Sequence, residues 1–140
     1  MTEIDFYTNV ADRLQVAARL CAKAYGMGMR VRVLTGDAAM TAHLDQLLWT
    51  SPPTGFIPHC RLVSQAAEVT PVIVDDALEH TGPAELLINL HPVQPGFFRR
   101  FSRLAEIVGA GAEDITAARV KWRYYKQQGY TLRVHNLASG

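Results

Sequence analysis

The chain has 140 residues, 49% of them hydrophobic, and a formal net charge of +1. That length makes a single domain, residues 1–140, able to bury a core without disulfide or metal staples, and that composition excludes extended disorder. No apolar run approaches the roughly 18 residues of a membrane span. "MTEIDFYTNV" lacks a basic region followed by an apolar run, so no secretory signal is expected. Cys21 and Cys60 stand alone, which implies no disulfide framework and suits a reducing cytoplasm.

Taken in order, "IDFYTNV" (4–10) reads as an opening strand. "DRLQVAARLCAKAYGMG" has apolar residues at 14, 17, 18, 21, 24 and 25, a helical spacing that puts Cys21 inside and stops at Gly26 and Gly28. "RVRVLT" (30–35) is a strand. A helix follows, capped by Asp37, with Met40, Leu44, Leu47 and Leu48 on one face. "SPPTGFIPH" must be a loop, because Pro52, Pro53 and Pro58 forbid regular structure. "CRLV" (60–63) is a brief strand, and "PVIVDD" (71–76) and "ELLINL" (85–90) read as strands buried on both faces. "PGFFRRFSRLAEIVG" predicts a helix with Phe97, Phe101, Leu104 and Val108 inward. "AEDITAARVKWRYYKQQG" predicts the last helix, with acids at its start and Gly129 at its end. "YTLRVHNL" is a final strand. The alternation gives an α/β fold, a single-domain Rossmann-like three-layer sandwich with a largely parallel sheet.

The charge is uneven. Residues 1–94 hold six basic and ten acidic side chains, and residues 95–140 hold eight and three. A basic face for an acidic partner follows. Within "AARVKWRYYKQQGYTLRV", the residues Ile115, Ala118, Trp122 and Tyr125 share the core arc of the helix. Arg119, Arg123 and Lys126 form a ridge beside it, which Arg99, Arg100 and Arg103 of the preceding helix extend. Composition alone also suits direct single-strand binding, although the near-neutral total and the core role of Trp122 and Tyr125 oppose it.

Other chemistry is sparse. "VDDALEH" sets Asp75, Asp76 and His80 at the end of a buried strand, where open α/β sheets bind ligands. Two carboxylates there can hold Mg²⁺, so a small metal-dependent enzyme acting on a phosphorylated substrate is the competing reading. No G-x-G-x-x-G or phosphate loop occurs. His59 and Cys60 have no second pair to complete a metal site. "LLWTSPPTGFIPH" carries Trp49 and Phe56 on a proline-rigid segment, the make-up of a preformed apolar contact surface.

The combination of "FYTN", "LDQLLWTSPPTGFIPH", "PVIV", "LLINL" and "ARVKWRYYKQQGYTL" resembles the chi subunit of bacterial DNA polymerase III over nearly the whole chain. The resemblance implies a non-catalytic adaptor of the clamp-loader complex, with no nucleotide, cofactor or metal. It implies binding to the acidic C-terminal tail of single-stranded-DNA-binding protein, so that nucleic acid is reached only indirectly. By the family's pattern Arg119 takes the tail, with Val108 and Ile107 at apolar pocket positions and Arg123 and Lys126 nearby. The second basic residue that the pattern expects is replaced by Ile115 or Thr116; Arg123 or Arg103 is the candidate substitute. Trp49, Phe56 and Pro58 fall on the segment that contacts a psi-like subunit.

Overall fold

The computed structural model describes residues 2–50, 57–62, 70–80 and 84–137. In chain order these form β1 (Glu3–Val10), α1 (Arg13–Gly26), β2 (Val31–Leu34), α2 (Ala38–Thr50), β3 (His59–Cys60), β4 (Val72–Asp75), β5 (Leu86–Asn89), a 3₁₀ turn at Phe98–Arg100, β6 (Arg103–Gly109), α3 (Ala112–Gln127) and β7 (Leu132–Asn136). The strands make one sheet in the order β3-β4-β2-β5-β6-β1-β7, and every pairing is parallel. Phe56 and the prolines at 52 and 53 lie outside the described residues, as does Val63; of the strand expected over 60–63 only Cys60 belongs to β3, and Arg61 and Leu62 follow it outside any strand.

Local signals explain most boundaries. The Asp12 carboxylate accepts the Gln15 N–H at the start of α1, and Asp37 accepts the Met40 N–H at 2.8 Å at the start of α2. Each cap satisfies a donor that the first helical turn leaves open. At the end of α3 the chain reverses at Gly129, whose φ of +88° suits a residue without a Cβ.

The segment 95–109 corrects the sequence reading. It is a 3₁₀ turn followed by a strand rather than a helix. β6 lies between β5 and β1 and is covered on both faces, so its buried run Leu104–Gly109 shows no alternation. Phe101, Leu104 and Val108 are nonetheless buried. Arg99, Arg100 and Arg103 do not form a second helical ridge.

Helices α1 and α2 cover one face of the sheet, around Ala17, Cys21, Leu44, Leu48, Val33 and Ile107. α3 and the turn carrying Phe98 and Phe101 cover the other, around Ile4, Phe6, Leu104, Val108 and Tyr125. Successive strand residues point to opposite faces, so Ile107 and Val108 belong to different layers.

Two buried polar groups hold the second layer. Glu106, with no exposed surface, accepts bonds from Lys121 Nζ (2.7 Å), Tyr125 Oη (2.6 Å) and Asn89 Nδ2 (2.9 Å). Burial and the neighbouring Glu106 charge push the Tyr125 hydroxyl far above its ordinary range, so it stays a donor. Arg32, equally buried, donates to the carbonyl oxygens of Glu79 (2.6 Å), Ala77 (2.7 Å) and Asp75 (3.2 Å). No helix covers this part of the sheet among the described residues, and the guanidinium satisfies the loop that lies there instead. Burial lowers its pKa to about 10, which leaves it charged at neutral pH.

Removing Lys121 strands the Glu106 carboxylate. Lys121→Ala should cost about 3–5 kcal/mol in urea unfolding, whereas Lys121→Met with Glu106→Gln should cost clearly less, because no charge is left without a partner. Equal losses in the two variants would mean that Lys121 acts by packing alone.

Candidate functional site

The last helix sorts the cations of the C-terminal half. Lys121 is turned inward, 5% exposed and bound to Glu106, so it supplies no surface field. Arg103 and Arg133 reach the buried Asp5 carboxylate, Arg133 at 2.9 Å and Arg103 at 3.3 Å. Burial would raise the Asp5 pKa, but the bonds from His135, Arg133 and Arg103 outweigh it and hold the group below its usual range. Arg100 donates to the His80 carbonyl and Arg99 to the Gln128 side chain. Arg119 and Arg123 are exposed and have no partner among the described residues. Lys126 sits 5.7 Å over the Trp122 ring.

Arg119 stands at the edge of a groove of about 230 Å³ between α3 and the β1–β7 end of the sheet. Its lining is almost wholly apolar: Phe6, Val108, Ile115, Ala118, Trp122 and Val134. Phe6 meets Trp122 edge to face at 5.2 Å and fixes the indole as part of the wall. Asn9 and Thr8 close the end nearest Gly109. Asn9 adopts φ +57° where the β1–β6 register shifts between Tyr7 and Val10; asparagine is among the residues that tolerate this conformation. Of the sequence-predicted residues, Arg119 and Val108 meet at this groove. Arg123 and Lys126 continue along its α3 flank. Ile107 lies on the opposite face, beneath α1 and α2.

The second predicted surface is partly described. Trp49, at the end of α2, is 56% exposed, and its ring lies 5.6 Å from the His59 ring, edge to face. His59 in turn reaches the Ile57 carbonyl at 2.6 Å and the Asp45 carboxylate at 2.9 Å. Ile57 is buried and Pro58 half-buried. Trp49 thus faces outward at the end of α2, and Ile57 is part of the core.

The Asp75, Asp76 and His80 constellation does not assemble. The Asp75 oxygens accept from Arg61 Nε (2.9 Å), the Leu62 N–H (2.9 Å) and the Ala77 N–H (2.9 Å). Asp76 pairs with the same Arg61 at 3.0 Å. His80 is buried instead against Arg32 and Phe101. The carboxylate lone pairs are committed to the fold, and no group of three His, Cys, Asp or Glu able to hold a metal occurs among the described residues. Burial pushes the Cys21 thiol up to about 12, which removes it as a nucleophile.

These observations describe an apolar groove with an unpaired guanidinium at its rim among the described residues. A model of the family "DNA polymerase III chi subunit, HolC" matches residues 1–133. The chain belongs to the DNA polymerase III chi subunit family. It is 41% identical to a DNA polymerase III subunit chi of Pseudomonas aeruginosa over 98% of both chains. It is 26% identical to a DNA polymerase III subunit chi of Haemophilus influenzae, over 88% of this chain and 86% of the other. Among the described residues of this chi family member, no helix is long and apolar enough to cross a membrane.

Sequence reasoning missed Phe6, Thr8, Asn9 and Val134 as groove residues. For Val134 a signal existed: the period of two in "LRVHN" puts it on the same face as Leu132, away from Arg133 and His135. Nothing local marks Asn9.

The Asp75–Arg61 clamp has a pH consequence. Burial disfavours the Asp75 anion, but Arg61 and the Ala77 and Leu62 N–H groups overcompensate and lower its pKa from 3.8 to about 2. A carboxyl with a depressed folded-state pKa stabilises above its unfolded pKa, and the contribution disappears as pH falls through the folded value. Thermal unfolding followed from pH 5 to pH 2 should therefore show a loss on the order of 1–2 kcal/mol that Arg61→Gln largely removes.

Proposed function

We propose that this chain is a non-catalytic, cytoplasmic accessory subunit of DNA polymerase III that joins the clamp-loader complex to single-stranded-DNA-binding protein. The groove beside Arg119 takes the acidic C-terminal tail of that protein, which ends in a Phe and its carboxylate. The Trp49 segment takes a psi-like subunit. The observation that carries the reading is the position of Arg119, a guanidinium without an acid partner among the described residues at the rim of an apolar groove. A planar fork pairs with a terminal carboxylate through two parallel bonds, and Val108, Trp122 and Val134 offer walls to an aromatic ring. Arg123 and Lys126 add a field for the acids upstream, screened over about 8–10 Å at physiological salt.

Two experiments test this assignment. Arg119→Ala should lower affinity for an acidic tail peptide by roughly 2–3 kcal/mol, and Arg119→Lys should restore only part. Amidating the peptide's terminus should reproduce most of that loss, and the two changes together should be far from additive. Additive losses would move the carboxylate site toward Arg123. For the second surface, Trp49→Ala should cost on the order of 2 kcal/mol in binding the psi-like partner and leave tail binding intact. A fall in melting temperature with no binding defect would make Trp49 a stabiliser of the α2 end and not an interface anchor.

A further inference from the structure

β7 ends the sheet. It pairs with β1, and no described strand lies beyond it. Along such a strand, residues whose peptide groups bond inward alternate with residues whose groups point outward. Leu137 donates its N–H to the Thr8 carbonyl at 3.0 Å. By that alternation Arg133 and His135 also face β1, while Leu132 and Val134 direct their N–H and C=O groups to the open edge. Native sheets usually guard an edge with charge, proline or a covering segment. β7 contains no proline, and its two charge-bearing side chains, Arg133 and His135, are both turned to Asp5 on the far face. The groove side carries Val134, 54% exposed.

The helix above has a matching asymmetry. At about 100° per residue, Trp122, Ile115, Lys126, Arg119 and Arg123 follow one another around a single flank of α3. That flank is the one whose Ile115, Arg119 and Trp122 share the groove with Val134. Lys121, Ala117 and Asp114 lie on the other flank, beside His91. The basic row therefore overhangs the open edge. Because the chain reverses at Gly129, α3 and β7 run in opposite directions. Lys126 lies toward the Leu132 end of β7. Arg119 lies toward the Asn136 end, where Thr8 and Asn9 of the groove meet Asn136.

We propose that β7 is the template for an incoming strand: the acidic peptide whose carboxyl terminus docks at Arg119 adds its upstream residues to this edge as a parallel eighth strand, with its acids beneath Arg123 and Lys126. The inference rests on the tail-binding reading above and goes beyond it, since it assigns the peptide a backbone conformation, a direction and main-chain partners. The direction follows from the geometry. A chain that ends at Arg119 and passes Lys126 and Arg123 on the way runs the same way as β7. Charge selects the occupant, because a second copy of this chain would bring its own basic flank against this one. Main-chain bonds to a sheet edge hold an extended peptide without demanding particular side chains, while the groove selects the terminal residue.

The test is a backbone N-methyl scan of a ten-residue acidic peptide ending in a free Phe, titrated calorimetrically onto the wild-type protein. Methylation at every second upstream position should weaken binding roughly three- to tenfold, and the positions between should be nearly silent. Val134→Pro removes the outward N–H at a place where an edge strand tolerates proline. It should weaken the ten-residue peptide by a larger factor than a three-residue peptide with the same terminus, which can lose only its contact with the Val134 wall of the groove. If that variant does not fold, the scan on the wild-type protein decides alone. A scan without period two, while amidation of the terminus still weakens binding, would overturn the strand addition and leave the tail reading standing. Binding indifferent to the terminal carboxylate would overturn both. A dimer of the free protein that Val134→Pro abolishes would give the edge to a second copy and overturn the proposal.

Discussion

The Glu106 carboxylate is the point on which the geometry of the candidate site turns. It sits without exposed surface in the interior strand β6, and its partners come from α3 and β5. A buried charge is tolerated only when its lone pairs are filled and its sign is matched. Lys121 and Tyr125 meet that demand, and in doing so they set the rotation of α3 about its own axis. With those two residues facing the sheet, Trp122 must lie in the groove wall, Arg119 at its rim, and Arg123 and Lys126 along the flank beyond. A helix held only by apolar contacts rolls at little cost; one fixed by a charge-assisted network does not. The orientation of the exposed cations is thus decided by groups no partner touches.

The same logic sorts the basic excess of residues 95–140. Read along the sequence, its cations are equivalent. In the fold, Asp5 takes Arg103 and Arg133, Glu106 takes Lys121, and neutral oxygens take Arg99 and Arg100. The cations of this half held by neither an acid nor a neutral oxygen among the described residues form a short row on one helix flank. A protein with a net charge of +1 can therefore show a concentrated positive field over a small area.

Much of this architecture was legible in the sequence because its signals are local. Asp37 announced a helix cap, proline and glycine marked loops, and short β-branched runs marked strands buried on both faces. The core arc of α3 followed from spacing alone, with Tyr125 and Ala118 buried as that arc requires. The helix read into residues 95–109 failed for a physical reason. β6 is covered on both faces and carries Ala105 and Glu106, so it lacks the period of two that betrays a strand. Glu106 in particular reads as a solvent-facing residue until the lysine fifteen positions later is seen to neutralise it. The roles of Asp5 and Arg32 were hidden for the same cause: their partners lie far along the chain, at separations of 128 for Arg133 and 47 for Glu79. The groove was half legible. Its helix side was visible as a ridge, while its sheet side depends on β1 and β7 lying next to each other, which no local pattern reports.

That adjacency has a kinetic side. β1 is the first strand made, yet both its neighbours, β6 and β7, are built from the last third of the chain. During synthesis at ~5–20 residues per second, Ile4 and Phe6 wait several seconds or more before β6 leaves the ribosome. Through that interval the N-terminal strand is an apolar segment with two open edges. The sheet can form from β2 outward, but its β1 position stays vacant until the C-terminal part arrives. Long-range parallel pairing of this kind slows folding, and it leaves the apolar edges of β1 unpaired for as long as β6 and β7 take to be translated.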